Sequence, residues 1–192
     1  GVEEDIHFLV MEYVHGVDVG YLTKSQGTLD LPEACDIVQQ AAEGLSAIHN
    51  AGLVHRDLKP SNLIVNESGQ VKLLDLGLVH LVQSQTDDLT RTGSLMGTID
   101  YMAPEQSEDS GNVDFRADLF SLGATFYKLL SGVTPLAAVG EGNTFRRVRA
   151  YIESSLPSIR THCPDLPDEI ADLIDNLLSK SPQLRKYSAK QV

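Results

Sequence analysis

His55-Arg56-Asp57-Leu58-Lys59-Pro60-Ser61-Asn62 is the stretch on which the reading of this chain turns. Between positions 57 and 62 it sets a carboxylate, an ammonium and a carboxamide. Asp75-Leu76-Gly77 follows, a second carboxylate with a glycine that frees the backbone just after it. At roughly 5% usage per residue type, a chance run of His-Arg-Asp, Lys, Asn and Asp-x-Gly in this order is negligible. An ordinary polar surface loop does not account for it.

The flanks read as a helix and a hairpin. Pro32 marks a helix start. Ala34, Ile37, Val38, Ala41, Leu45 and Ile48 then recur with helical period and make one apolar face. Asn50-Ala51-Gly52 supplies the stop, so this helix delivers the chain to the loop. Residues 63–65 and 71–74 are short apolar runs joined by Asn66-Glu67-Ser68-Gly69-Gln70, a hairpin signal with Asn62 at one end and Asp75 at the other.

Farther out, residues 6–14 (IHFLVMEYV) are a continuous apolar run with one Glu, read as a buried strand. Residues 19–25 form a short helix ended by Gln26-Gly27. Residues 82–96 shift to Ser, Thr, Gln, Asp and Gly without periodicity, a loop carrying Ser84, Thr86, Thr90, Thr92 and Ser94. Residues 117–132 (ADLFSLGATFYKLLSG) are apolar on nearly every side, which predicts a buried helix. Asp118 is the odd residue in it, and a buried carboxylate must be hydrogen-bonded. Residues 134–142 read as loop. Pro167 opens another helix, with Ile170, Leu173, Ile174, Leu177 and Leu178 on its face.

Together with Gly97-Thr98-Ile99-Asp100-Tyr101-Met102-Ala103-Pro104-Glu105, these motifs resemble the C-lobe of a eukaryotic-type Ser/Thr protein kinase. The wording around Thr90-Arg91-Thr92 and Met96-Gly97-Thr98 is similar to bacterial members. The resemblance runs through almost the whole chain. It implies an α+β, protein-kinase-like fold with a mostly helical C-terminal lobe, short β-hairpins and the N-lobe largely absent. Residues 1–14 would be the last N-lobe strand and hinge, and residues 15–192 the C-lobe, truncated at its final helix.

It also implies an ATP-dependent protein Ser/Thr kinase that moves the γ-phosphoryl group to Ser and Thr hydroxyls. In that family Asp57 aims the hydroxyl and accepts its proton, and Lys59 sits over the transferring group. Asn62 and Asp75 hold Mg²⁺, with Mn²⁺ as an alternative ion. Met11 takes the gatekeeper place, and the backbones of Glu12 and Val14 pair with adenine. Asp18 lies near the ribose, Ile64 under the adenine, and Ser61 joins the nucleotide-binding set. Thr98 is expected to hydrogen-bond Asp57 and Lys59. His55 packs the loop, Asp118 ties to its backbone, and Arg56 can receive a phosphate on Thr90 or Thr92. Glu105 and Arg185 are expected to form a buried ion pair. Leu76 stands where Phe is commoner, and Ser181 where the family usually has Asp.

No Gly-rich phosphate loop and no Val-Ala-x-Lys strand appear; they are expected before residue 1 in a longer kinase, and this piece alone is expected to turn ATP over weakly or not at all. Small-molecule phosphotransferases share the Asp-x-x-x-x-Asn loop but lack Ala103-Pro104-Glu105 and the segment before it. A pseudokinase scaffold that binds partners without chemistry stays open, with intact Asp57, Asn62 and Asp75 against it. The net charge of −12 favours a basic peptide substrate and disfavours nucleic acid. Arg146, Arg147 and Arg149 are a weak patch for nucleic acid in so acidic a chain, and read instead as a solvated helix face or part of a peptide- or partner-docking surface. Protein substrates and kinase dimerisation are the expected partnerships. No apolar run reaches membrane length. Cys35, on the predicted apolar helix face, and Cys163 have no metal spacing, which fits reduced thiols in a cytoplasmic setting; the parent protein can still carry an anchor elsewhere.

Overall fold

The computed structural model describes residues 2–3, 6–8, 10–75, 98–108, 113–139 and 155–192. Strands β1 (Val2–Glu3) and β2 (Ile6–His7) form a minimal antiparallel pair. Strands β3 (Gly16–Asp18), β4 (Leu63–Asn66) and β5 (Val71–Leu73) make an antiparallel sheet in that order. Its register sets Asp18 opposite Ile64, and Ile64 opposite Lys72. The β4–β5 turn is built by Asn66, whose Oδ1 accepts from Ser68 N at 3.0 Å and Gln70 N at 2.9 Å. Gly69 closes it at φ +79°, a conformation that favours glycine.

Helix α1 (Val19–Gln26) starts where the Asp18 carboxylate accepts from Tyr21 N at 2.7 Å, and it ends at Gly27. Helix α2 (Leu31–Asn50) is capped by Asp30, whose carboxylate accepts from Glu33 N at 2.9 Å, and has Pro32 in its first turn. Its apolar stripe of Ala34, Ile37, Val38, Ala41, Ala42 and Leu45 is buried, while Cys35 is half-buried. Helix α3 (Pro104–Glu108) is short. Helix α4 (Arg116–Ser131) is buried from Ala117 to Tyr127 without interruption, the environment that an all-apolar helix requires. Helix α5 is Pro135–Ala138 and helix α6 is Asp168–Leu177. Helix α4 is the centre, packed against α2 on one side and α6 on the other. At Gly123 a Cβ would lie 2.7 Å from Leu177 Cβ, so α4 and α6 touch almost backbone to backbone. The result is an α+β architecture, mostly helical, in which the loop at residues 53–62 runs from α2 into the small sheet β3–β4–β5.

Two expectations fail. Residues 6–14 are not one buried strand. Among the described residues of this run only Ile6–His7 pairs, and Val10, Met11 and Tyr13 are 83%, 53% and 78% exposed. An apolar run is buried only if something covers it, and among the described residues nothing does. Residues 134–142 are not all loop. Thr134 Oγ1 accepts from Ala137 N at 3.2 Å and Pro135 takes the first helical position, so a cap and a proline make one turn of helix that buries Leu136. Residues 82–96 and Phe145, Arg146, Arg147, Arg149 and Ile152 lie outside the described residues.

Candidate active site

The loop between α2 and β4 is pinned from below by Asp118, at the start of α4. Its buried carboxylate accepts from His55 N at 2.8 Å, from Arg56 N at 2.7 Å and from His49 Nε2 at 2.9 Å. All three donors spend their hydrogen on a charge that would otherwise be buried alone. His55 is itself buried. Its Nδ1 accepts from Asp57 N at 3.4 Å, which leaves Nε2 as the protonated nitrogen, donating to Leu74 O at 2.9 Å. The imidazole therefore bridges the loop to the end of β5.

Arg56 at φ +67° and Asp75 at φ +54° are the two non-glycine residues with left-handed backbone among those described. Such conformations cost energy and persist where the surroundings over-determine them. At Arg56 the backbone is held on both sides, by Asp118 below and by Gln106 Nε2, which donates to Arg56 O at 2.9 Å. The turn sends the Asp57 side chain outward while Leu58 goes into the core.

Around Asp57 the polar groups converge. Lys59 Nζ donates to both Asp57 oxygens, at 3.0 and 2.9 Å, and to Thr98 Oγ1 at 2.8 Å. Asn62 Nδ2 donates to Asp57 O at 2.7 Å and to Asp57 Oδ2 at 3.0 Å. With its nitrogen fixed on Asp57, Asn62 turns its Oδ1 the other way. The Asp57 and Lys59 side chains are only 21% and 20% exposed, so this ion pair is better shielded from solvent than an ordinary surface pair. Leu74 N donates to Asn62 O at 2.9 Å, so the base of the hairpin is closed directly beneath Asn62 and Asp75. Asp75 itself is exposed.

The structure thus brings Asp57, Lys59, Asn62 and Thr98 into one hydrogen-bonded group, with Asp75 beside it along the backbone. Asp18 caps α1, and Ile64 is its strand partner; Ser61 is exposed on the 3₁₀ turn Pro60–Asn62. Met11 and Glu12 stand in the exposed segment before β3, where Glu12 Oε2 lies 3.7 Å from Lys72 Nζ; Val14 is half-buried. Glu105 and Arg185 meet in a separate bidentate pair. Leu76, Gly77, Thr90 and Thr92 lie outside the described residues. Burial first, and then the Asp100 charge, push the Tyr101 phenol well above its ordinary value.

Among the described residues there is no cluster of three or more His, Cys, Asp or Glu placed to hold a metal ion. A pair made of one carboxylate and one carboxamide oxygen instead suits a hard ion that keeps its waters and takes further oxygens from a substrate. No described helix is long and apolar enough to cross a membrane.

The family described as Protein kinase domain matches residues 2–192. The chain belongs to the protein kinase family. This kinase chain is 37% identical over 181 residues to the serine/threonine-protein kinase PknA of Mycobacterium tuberculosis, a match covering 94% of the chain and 40% of PknA. It is 30% identical over 192 residues to the serine/threonine-protein kinase PrkC of Bacillus subtilis, all of this chain and 29% of PrkC. The chain therefore spans less than half the length of these kinases. Among solved structures, Rad53 1-466 in complex with AMP-PNP superposes with a TM-score of 0.72 at 25% identity, over 94% of this kinase and 44% of that chain. The α+β architecture is accordingly a kinase fold, of the bacterial-like eukaryotic type.

Two residues that hold the loop, one directly and one through Asp118, escaped the sequence reading of this kinase. His49 reaches Asp118 from the last turn of α2, and Gln106 reaches Arg56 from α3. The signal for Gln106 was available: it stands third in a helix begun by Ala103-Pro104, a place where Gln folds back on the helix start. The signal for His49 was not, since its partner lies 69 residues away.

Proposed function

We propose that the protein of which this chain is part is an ATP-dependent Ser/Thr protein kinase, with residues 1–14 as the strand and hinge joining the two lobes and residues 15–192 as the C-lobe. The observation that carries this is the Lys59 ammonium bound at once to both Asp57 oxygens and to Thr98 Oγ1. A carboxylate so held is aimed but not buried. Asp57 can accept a hydrogen bond from an incoming Ser or Thr hydroxyl, fix the attack line and take the proton as the new P–O bond forms. Lys59 supplies a positive charge beside the transferred group without giving up its grip on Asp57. Bound Mg²⁺ would neutralise phosphate charge, and Asn62 Oδ1 and Asp75 are the residues suited to hold it. Glu12, Val14, Met11, Asp18, Ser61 and Ile64 are proposed to line the nucleotide site. Arg56 is proposed to receive a phosphate on Thr90 or Thr92. The proposed partners are proteins presenting Ser or Thr.

The test is phosphoryl transfer from labelled ATP to Ser- and Thr-containing protein by the full-length protein. Asp57→Asn is expected to lower kcat by at least about a thousandfold while ATP binding, read by titration calorimetry, stays within about threefold. Wild-type-like transfer by Asp57→Asn would refute the role given to Asp57.

A further inference from the structure

The Gln106 carboxamide makes two bonds of different kind. Its Oε1 accepts from Ala103 N at 3.0 Å, and its Nε2 donates to Arg56 O at 2.9 Å. The first closes half of a capping box at the start of α3 and is local. The second spans 50 residues and ends on the carbonyl of a residue held at φ +67°. The orientation of the amide is not free. Turned over, it would set a donor against the Ala103 N–H and an acceptor against the Arg56 carbonyl.

Arg56 is the residue whose backbone turn determines where Asp57 points. The peptide group before it is fixed by Asp118, whose Oδ1 accepts from Arg56 N at 2.7 Å. The peptide group after it, whose nitrogen belongs to Asp57, has two restraints: Asp57 N on His55 Nδ1, long at 3.4 Å, and Gln106 on the carbonyl at 2.9 Å. The Gln106 bond is the shorter of these, and it comes from the segment that follows Thr98. We propose that Gln106 is a positioning residue for Asp57, locking the left-handed turn at Arg56 and coupling the placement of the 98–106 segment to the aim of the carboxylate. The proposal rests on the kinase reading above for its effect on turnover, though not for its effect on the loop.

Two variants of the full-length protein separate the two bonds. Gln106→Glu keeps an acceptor for Ala103 N, and Glu is as good as Gln at the third helical position. It cannot donate to Arg56 O. Gln106→Met fills similar volume and makes neither bond. Both are expected to lower kcat about tenfold, the scale of one lost buried hydrogen bond, with the KM for ATP changed less than about twofold. Both should also raise amide hydrogen exchange over residues 55–58 about tenfold. A role confined to capping α3 predicts instead that Gln106→Glu behaves as wild type in both measurements, and that result overturns the proposal. So does a loss of kcat in Gln106→Glu with exchange unchanged, because the effect would then bypass the loop. If wild-type protein transfers no more phosphoryl than Asp57→Asn, the kinase reading has failed. Exchange over residues 55–58 still decides whether Gln106 locks the turn.

Discussion

One carboxylate, that of Asp118, holds the loop that presents Asp57. It is fully buried and carries three donors, two of them backbone N–H groups of the residues immediately before Asp57. In Asp118→Asn one oxygen becomes an NH₂ group facing donors it cannot satisfy. Losing such charged, buried bonds costs about 2–3 kcal/mol, and urea unfolding should show that loss together with a fall in turnover. A variant as stable as wild type would mean that the loop is held by something else. At this scale the sequence was informative where a residue is odd in its surroundings. An Asp in an otherwise apolar helix announces a buried acceptor, as Asp57, Lys59 and Asn62 announce a polar site by their spacing. What the residues did not announce was who donates. His49 looks like any polar residue near a helix end, and the place of Gln106 announces its cap on Ala103 N but not its bond to Arg56 O. Their partners are fixed only when the chain folds back on itself.

Between elements, the tightest contact is that of α4 with α6. Gly123 has no side chain to keep the helices apart, and an added Cβ would meet Leu177 Cβ, an atom fixed to the backbone rather than a movable tip. Gly123→Ala gains about 1 kcal/mol of helix propensity and loses more by forcing the helices apart, where overpacking costs about 1–3 kcal/mol. The expected outcome is a lower urea midpoint with an unchanged slope; a rise in midpoint would show that α6 can shift freely. Elements with a strong apolar pattern were legible: α2 and α6 follow from apolar spacing and from Pro32 and Pro167 at their starts, and α4 from a run that is apolar on nearly every side. The hairpin at residues 63–73 follows from its turn residues. Residues 6–14 were misread because apolar content reports a preference for cover and says nothing of whether a neighbour supplies it. Helix α5 was missed because four residues are too few for a period, and only the Thr134-Pro135 cap marks it.

Across the whole molecule, Arg185 ties together segments far apart in the chain. Its side chain is completely buried, and its guanidinium pairs both nitrogens with the Glu105 carboxylate on α3. It also donates to Arg116 O at 2.8 Å at the start of α4, to Ser179 O at 2.9 Å and to Lys180 O at 3.2 Å. Its charge lies over the Phe120 ring, 5.0 Å from the centroid. The fork geometry matters, since a lysine could reach the carboxylate but not this set of carbonyls as well. Arg185→Met leaves Glu105 unpaired and should cost about 3–5 kcal/mol. Removing the partner too, in Glu105→Gln with Arg185→Met, usually recovers most of such a loss, because the two charges then vanish together. Here it should recover only part. The carbonyls of Arg116, Ser179 and Lys180 lose their bonds from Arg185 whatever stands at position 105, and a hydrogen bond to a charged group is worth about 1.5–3 kcal/mol. The double variant is therefore expected to remain at least about 2 kcal/mol below wild type in urea unfolding. Full recovery would make Arg185 a partner for Glu105 alone and not the clasp between α3, α4 and the segment after α6.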